Sequence, residues 1–414
     1  MMGLGSIVGT GIFVSVGVAA GASGPAVILA VILAAGLATC NAFSSAQLAA
    51  NHPVSGGTYE YGYAFLNPAA GFTAGWMFVL AKSASAATAA LGFAGYLLHL
   101  LGVEAGAWVP AVAMAGVAVL TAVVLGGMRR SNVTNIAIVS LTLVALLALV
   151  VTGTGTAAQA FPDNLRPFFD APGDGPWIQT QGLLYATALM FVAYTGYGRV
   201  ATLAEEVEDP ARTIPKAIVA TLAVTALLYL AVATVSVGII GAADLQAATE
   251  GRAAPLQAVA QEIEVPGVAT LVAVGAVTAM LGVMLNLILG LSRVVLAMGR
   301  RQDLPRATAR LDARGSTPWV AVLLTGGLVA ALTAIGDVET TWSFSAFTVL
   351  VYYALTNLAA LRLSHEQRFF SRFYPWAGLG GCVFLAFWVD PRVWVSGLGL
   401  IVLGLAWHAF RQRA

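Results

Sequence analysis

Two glycine clusters each interrupt an apolar segment of this sequence. One is GSIVGTGIFVSVG (Gly5 to Gly17), and the other lies in FVAYTGYGRVATLAEEVEDP (Phe191 to Pro210), where Gly196, Tyr197 and Gly198 fall together. A helix that unwinds inside a bilayer frees backbone N–H and C=O groups, which lipid tolerates only where they line a cavity or bind something. Two interruptions in matched positions therefore point to a small-molecule site near the membrane midplane. Any single glycine among the 45 in this chain more often serves close helix packing. Clustering, matched position and flanking polar or aromatic residues set these two apart.

The chain's other chemically capable groups are few. Only two lysines exist, and Lys82 lies inside the apolar run GWMFVLAKSASAATAALGFAGY. Ten residues beyond Phe72, at about 1.5 Å rise each, it sits about 15 Å deep. A charge at that depth costs roughly 2.5 to 3.5 kcal/mol on insertion scales, so the group should face protein or water, where it is a candidate proton carrier. The plainer alternative is a lysine that snorkels or pairs structurally. Arg199 follows the second interruption and is a candidate inner gate through Glu205 or Glu206, although a snorkelling arginine near a helix end is the preferred reading. Glu208 and Asp209 read with them as interfacial structure closing a loop. Four scattered histidines, His52, His99, His365 and His408, make no metal-binding pair, so an intramembrane enzyme is disfavoured and no cofactor is implied.

The elements that must hold these groups follow from composition. Of 414 residues, 59% are hydrophobic and 9% charged, with mean hydropathy +0.86, which no soluble globular surface sustains. Apolar stretches long enough to cross a bilayer recur from end to end, about twelve in all. They begin near residues 3, 25, 72, 107, 132, 181, 216, 266, 318, 341, 375 and 393. The expectation is an all-α polytopic membrane protein, residues 1–414 forming one transmembrane domain with no soluble domain. Lys and Arg crowd the connections after spans four, six, eight and ten and the tail, whereas the opposite connections hold only Arg166, Arg252 and Arg392. That asymmetry places both termini in the cytoplasm, in a cytoplasmic (inner or plasma) membrane. Net charge of +1 gives no reason to propose nucleic acid as a partner, and the bilayer itself is the expected surroundings. Cys40 and Cys382 read as buried thiols, with no disulfide framework. No cleavable signal peptide is visible. The first half-helix is short, with about eight residues before Gly9, consistent with a native start upstream of Met1.

Spans one to five (about 1–152) and six to ten (about 180–362) overlay so that Gly9, Thr10 and Gly11 match Gly196, Tyr197 and Gly198. Five is odd, so the two units have opposite orientation, an inverted repeat, and spans eleven and twelve (about 373–410) are additions. Within the loop 242 to 265, Leu256, Val259, Ala260 and Ile263 fall at helical spacing, predicting a short helix on the outer face. HPVSGGTYEYGYAFLNP (His52 to Pro68) reads as an interfacial segment whose three tyrosines sit at headgroup or protein-boundary depth.

Four segments carry a family resemblance along the whole length. GSIVGTGIF, PVSGGTYEYGYAFLNPAAGFTAGW, FVAYTGYG with AEEVEDPARTIPKAI, and LSRVVLAMGRRQDLP occur in order at spans one, three, six and eight. Together they resemble the amino acid permeases of the amino acid/polyamine/organocation superfamily, most closely the cationic amino acid transporter-like branch. The resemblance implies a five-plus-five inverted repeat like that of bacterial leucine transporters, with broken helices one and six, alternating access, and an amino acid held between spans one, three, six and eight. It implies that amides around Ser6, Ile7, Gly9, Thr10 and Gly11 face the substrate carboxylate, in keeping with the dipole of a half-helix N-terminus. Carbonyls around Phe191, Ala193 and Tyr194 would then meet the α-ammonium, with Phe191, Tyr194 or Tyr197 closing over it.

The sequence departs from that pattern in places. Many cationic-type relatives carry an acid where Gly198 stands, which weakens the case for arginine or lysine as substrate. The span-five lysine of several proton-coupled relatives is missing, with only Ser140 and Thr142 near that level. Span eight offers only Thr278 and Asn286 for a sodium ion, so proton coupling or exchange is favoured over sodium. The expectation is thus secondary active amino acid transport, with protons as a candidate coupling ion and Lys82 in place of the missing lysine. An amino acid sensor on a transporter fold, binding without flux, is the alternative.

Overall fold

Apolar patterning becomes helix through most of the described residues. The computed structural model describes residues 4–54, 56–103, 106–127, 132–173, 175–197, 210–313 and 315–413. No strand occurs among them, and the helices run α1 (Leu4–Ile7), α2 (Thr10–Phe13), α3 (Ser15–Ser23), α4 (Val27–Asn51), α5 (Thr58–Phe65), α6 (Pro68–Leu100), α7 (Trp108–Leu125), α8 (Asn132–Asn164), α9 (Pro176–Tyr194), α10 (Pro210–Arg252), α11 (Pro255–Gln261), α12 (Val268–Arg300), α13 (Trp319–Ile335), α14 (Val338–Ala360), α15 (Phe373–Ala386) and α16 (Pro391–Arg413). Eight segments among the described residues are long and apolar enough to cross a membrane, with Ser15–Asn51 counted as one run. α13 and α15 are shorter apolar helices. The first apolar segment is divided into the pieces α1 to α3, and α9 carries Gln179 and Gln181 near its start, which lowers its hydropathy.

Local chemistry sets the element ends. Asn67 caps α6 by accepting from Ala70 N at 2.9 Å, with Pro68 at the first helical position. Asp337 caps α14 in the same way through Thr340 N at 2.7 Å. α10 is bent where Gly241 takes φ 77°, ψ 168°, a conformation that side-chain-bearing residues rarely adopt. Asn164 Nδ2 donates to the carbonyls of Gly238 (3.0 Å) and Ile239 (3.1 Å) beside that bend, satisfying acceptors that an unbroken helix would pair internally.

α6 is the buried axis of the bundle, packing against α5, α7, α12, α13, α14 and α16. Outward-turned Val133, Val151, Leu227, Ile335, Val402 and Leu403 leave a broad apolar surface around the bundle. The helix predicted within 242 to 265 is α11, which buries Leu256, Val259 and Ala260; Ile263, also buried, lies just past its end. Leu256 N donates to Tyr96 Oη at 3.1 Å, tying α11 to α6.

Two of the three tyrosines of α5 are enclosed by protein, and the third is half-buried. Tyr59 and Tyr61 are fully buried, and because positions four apart share a helix face, Tyr59 and Tyr63 point the same way. Both donate to the Asp303 carboxylate just past α12, Tyr59 at 2.7 Å and Tyr63 at 2.9 and 2.8 Å. Burial, and then the hydrogen bond to that carboxylate, push both phenols above their ordinary range. His408 Nδ1 on α16 lies 3.2 Å from Asp303, and Trp407 Nε1 donates to the Asp303 carbonyl at 2.8 Å. Arg301 lies over the Tyr63 ring at 4.0 Å and pairs with Glu60 at 2.7 Å.

Candidate functional site

The two interrupted helices meet. α1 stops at Ile7, Gly9 is extended (φ −178°, ψ −128°), and helix resumes at Thr10. The amides of Ile12 and Phe13 both bond Gly9 O, so the chain restarts as a helical N-terminus at Thr10 and Gly11. α9 stops at Tyr194 and tightens into a 3-10 turn at Thr195–Tyr197. Gly11 faces Ala193 so closely that a Cβ there would lie 2.4 Å from Ala193 Cβ and 2.7 Å from its Cα. Gly9 similarly faces Val283 of α12, at 2.6 Å. These glycines let the backbones of the two breaks approach each other and α12.

Hydroxyls and one ammonium surround the junction. Lys82, part-buried near the middle of α6, donates through Nζ to Thr195 Oγ1 at 2.8 Å. Thr195 Oγ1 in turn donates to Val192 O at 2.7 Å, and Thr195 O accepts from Tyr353 Oη at 3.1 Å. Among the described residues Lys82 has no carboxylate within ion-pair distance. Tyr229 Oη on α10 donates to Ile7 O at 2.8 Å and lies 3.4 Å from Ala193 O. Tyr96 Oη donates to Phe13 O at 2.8 Å. Phe191, Tyr194 and Tyr197 are fully buried, with Tyr197 and Phe191 against the Tyr353 ring at 5.6 and 5.7 Å. Tyr194 spends its hydroxyl on Val31 O of α4 at 3.3 Å.

Of the residues singled out in the sequence, Ile7, Gly9, Thr10, Gly11, Phe191, Ala193, Tyr194, Gly196, Tyr197 and Lys82 cluster at or beside this junction. Ser6 contributes backbone in α1, and its side chain lies outside the described set, as do Gly198, Arg199, Glu205, Glu206, Glu208 and Asp209. Thr142 turns its hydroxyl onto Ile138 O within α8 at 2.7 Å. The α8 residues that meet the first break are Asn135 and Val139, which approach Gly5, one helical turn before Gly9; Ser140 is the next residue along. Tyr229, Tyr353 and Thr195 went unnoticed in the sequence. Their signal was present for the two tyrosines: a hydroxyl in mid-span must find a partner, and carbonyls freed from a helix are acceptors available in a bilayer.

No group of three or more His, Cys, Asp or Glu residues is placed to hold a metal ion among the described residues. A cavity of about 800 Å³ opens toward the end of the bundle that carries α11. It is bounded on α3 by Val18 and Gly21, and its mouth carries Glu250, Asp337, Glu339 and Asp390 with Arg252. Gly9, Thr10, Gly11, Ala193 and Thr195 do not line this cavity.

The family model for amino acid permeases matches residues 1–389. A transporter of Mycobacterium tuberculosis described as uncharacterized is 41% identical over 412 residues, covering 100% of this chain and 89% of that protein. Two Bacillus subtilis proteins are each 28% identical and cover 98% of this chain: a methylthioribose transporter, over 90% of its length, and a branched-chain amino acid permease, over 86%.

Proposed function

This chain belongs to the amino acid permease family, and we propose that it carries an amino acid across the membrane by alternating access, with the substrate bound where the two broken helices meet. The observation that carries the reading is the junction itself: Gly11 against Ala193, with Lys82 and Tyr229 holding the two interruptions from α6 and α10. The substrate carboxylate meets the helical restart at Gly9, Thr10 and Gly11, where unpaired amides and the dipole favour an anion. The α-ammonium meets the carbonyls at the end of α9, around Phe191, Ala193 and Tyr194, beneath Tyr197 and Gly196.

The proposed architecture is twelve spans in a five-plus-five inverted repeat, about 1–152 and 180–362, with both termini in the cytoplasm. The cavity at the α11 end is then the outer vestibule. The bundle's apolar girdle suits lipid. A neutral substrate fits best, since the described groups at the junction include an ammonium and hydroxyls but no carboxylate. A branched-chain amino acid permease among the relatives agrees with that choice.

Lys82 is the proposed proton carrier. Its partner is a neutral hydroxyl, so nothing in the described contacts pins it in the charged form, and its bond to Thr195 links its state to the second break. Transport is proposed to be driven by protons or by exchange, with sodium playing no part.

The test is uptake of a labelled amino acid panel into proteoliposomes of the full chain, with and without an inward proton gradient, sodium, or internal amino acid. Uptake driven by protons or by internal amino acid, and indifferent to sodium, is expected. Binding without flux would replace transport by sensing, and a sodium requirement would overturn the coupling.

A further inference from the structure

Tyr229 occupies a position that the transport reading reserves for something else. It is fully buried on α10, with its ring packed against Tyr194 at 5.2 Å. Its hydroxyl donates to Ile7 O at 2.8 Å and sits 3.4 Å from Ala193 O. These two carbonyls belong to different breaks, one at the end of α1 and one at the end of α9. The chain leaves helical register after Ile7, so the carbonyls of that last turn need a donor from elsewhere. A phenol has one proton to give: it serves Ile7 O well and only approaches Ala193 O. An ammonium has three, carries charge, and can serve both carbonyls at once.

We propose that the Tyr229 hydroxyl stands in for the substrate's α-ammonium while the site is empty, and that the arriving ammonium displaces it. The inference rests on the transport reading above, because it needs an amine at the junction. Displacement has two effects. It subtracts the energy of the Tyr229 bond from substrate affinity, making Tyr229 a determinant of how strongly an amine must bind. It also releases α10 from both breaks at the moment of occupancy, so that the breaks are held by Tyr229 or by substrate and are never left without a donor. A purely structural tyrosine predicts the opposite sign on removal: a looser junction and weaker binding.

The test compares wild type and Tyr229→Phe, full chain in nanodiscs, for binding of two ligands. One is the amino acid that binds best in the panel, and the other is the same acid without its amino group. A net hydrogen bond is worth about 0.5 to 1.5 kcal/mol, so the variant should bind the amino acid roughly two- to tenfold more tightly. The deaminated acid leaves Tyr229 where it is, and its affinity should not differ between the two proteins. Where that acid is too weak to measure, the amino acid arm decides alone. Equal or weaker amino acid binding by the variant, or an equal gain for both ligands, overturns the inference. Wild type that binds no member of the panel instead brings down the transport reading, and this proposal with it.

Should Tyr229→Phe fail to fold, ultraviolet difference spectra of the wild type serve in its place. Loss of one phenol's donated hydrogen bond shifts the tyrosine band to the blue. The amino acid should produce that shift and the deaminated acid should not. The same spectrum with both ligands, or with neither, overturns the proposal.

Discussion

The two polar clusters of this bundle are built on opposite plans. At the junction of α1 to α3 with α9, single donors hold single acceptors: Tyr229 on Ile7 O, Tyr353 on Thr195 O, Lys82 on Thr195 Oγ1. Among the described residues the buried Thr10 Oγ1 there and the His408 Nδ1 beside Asp303 have no hydrogen-bond partner. At Asp303, by contrast, one carboxylate collects Tyr59 and Tyr63, lies beside His408, and has Arg301 stacked over the tyrosines that serve it. A charge that is almost fully buried is stable only when surrounded by donors in this way. The contrast is one of charge: the joint holds a carboxylate ringed by donors, whereas the junction holds neutral carbonyl and hydroxyl acceptors and one ammonium.

Four substitutions test that distinction, in falling order of expected effect. Gly11→Ala puts a methyl group against Ala193 with backbone as well as side chain in the way, so the breaks must separate. Overpacking of this kind costs about 1 to 3 kcal/mol, and uptake should fall roughly tenfold or more while the protein still elutes as a folded species. Normal uptake by this variant would mean that the two breaks do not act together.

Lys82→Gln keeps a donor for Thr195 but cannot carry a proton. Proton-driven uptake should drop by about an order of magnitude and lose its dependence on pH, while exchange against internal amino acid persists. An unchanged rate and pH profile would return Lys82 to a structural role.

Asp303→Asn weakens the joint and spares the site. Replacing charge-assisted bonds by neutral ones should lower thermal stability by an amount on the order of 1 to 3 kcal/mol, with substrate affinity unaltered. A large change in affinity would show the joint to be part of the binding machinery. Thr142→Ala removes a hydroxyl that bonds only its own helix, and uptake should stay within about twofold of wild type. A greater loss would bring the α8 hydroxyls back as coupling groups.

The legibility of the site followed residue chemistry. Gly9, Gly11 and Gly196 could be picked out because clustered glycine in an apolar run has few uses, and Lys82 because an ammonium in a bilayer is costly. Tyr229 and Tyr353 were missed because only the packing of α10 and α14 against the breaks brings their hydroxyls to Ile7 O and Thr195 O. The tyrosines of α5 stood out in the sequence, but their partner did not. Alternating Tyr59, Tyr61 and Tyr63 suggested rings at an interface, and it took the fold to place an Asp303 carboxylate opposite two of them.

From residue order alone come the helical class, the apolar lengths, the two interruptions and the costly lysine, since bilayer solvation acts on each segment by itself and demands that its backbone be satisfied locally. Tertiary structure decided which interruption faces which, which hydroxyl holds each freed carbonyl, and that Asp303 is enclosed by two phenols and an imidazole. Those outcomes depend on contacts between helices hundreds of residues apart, and the period of one helix carries no record of its partner.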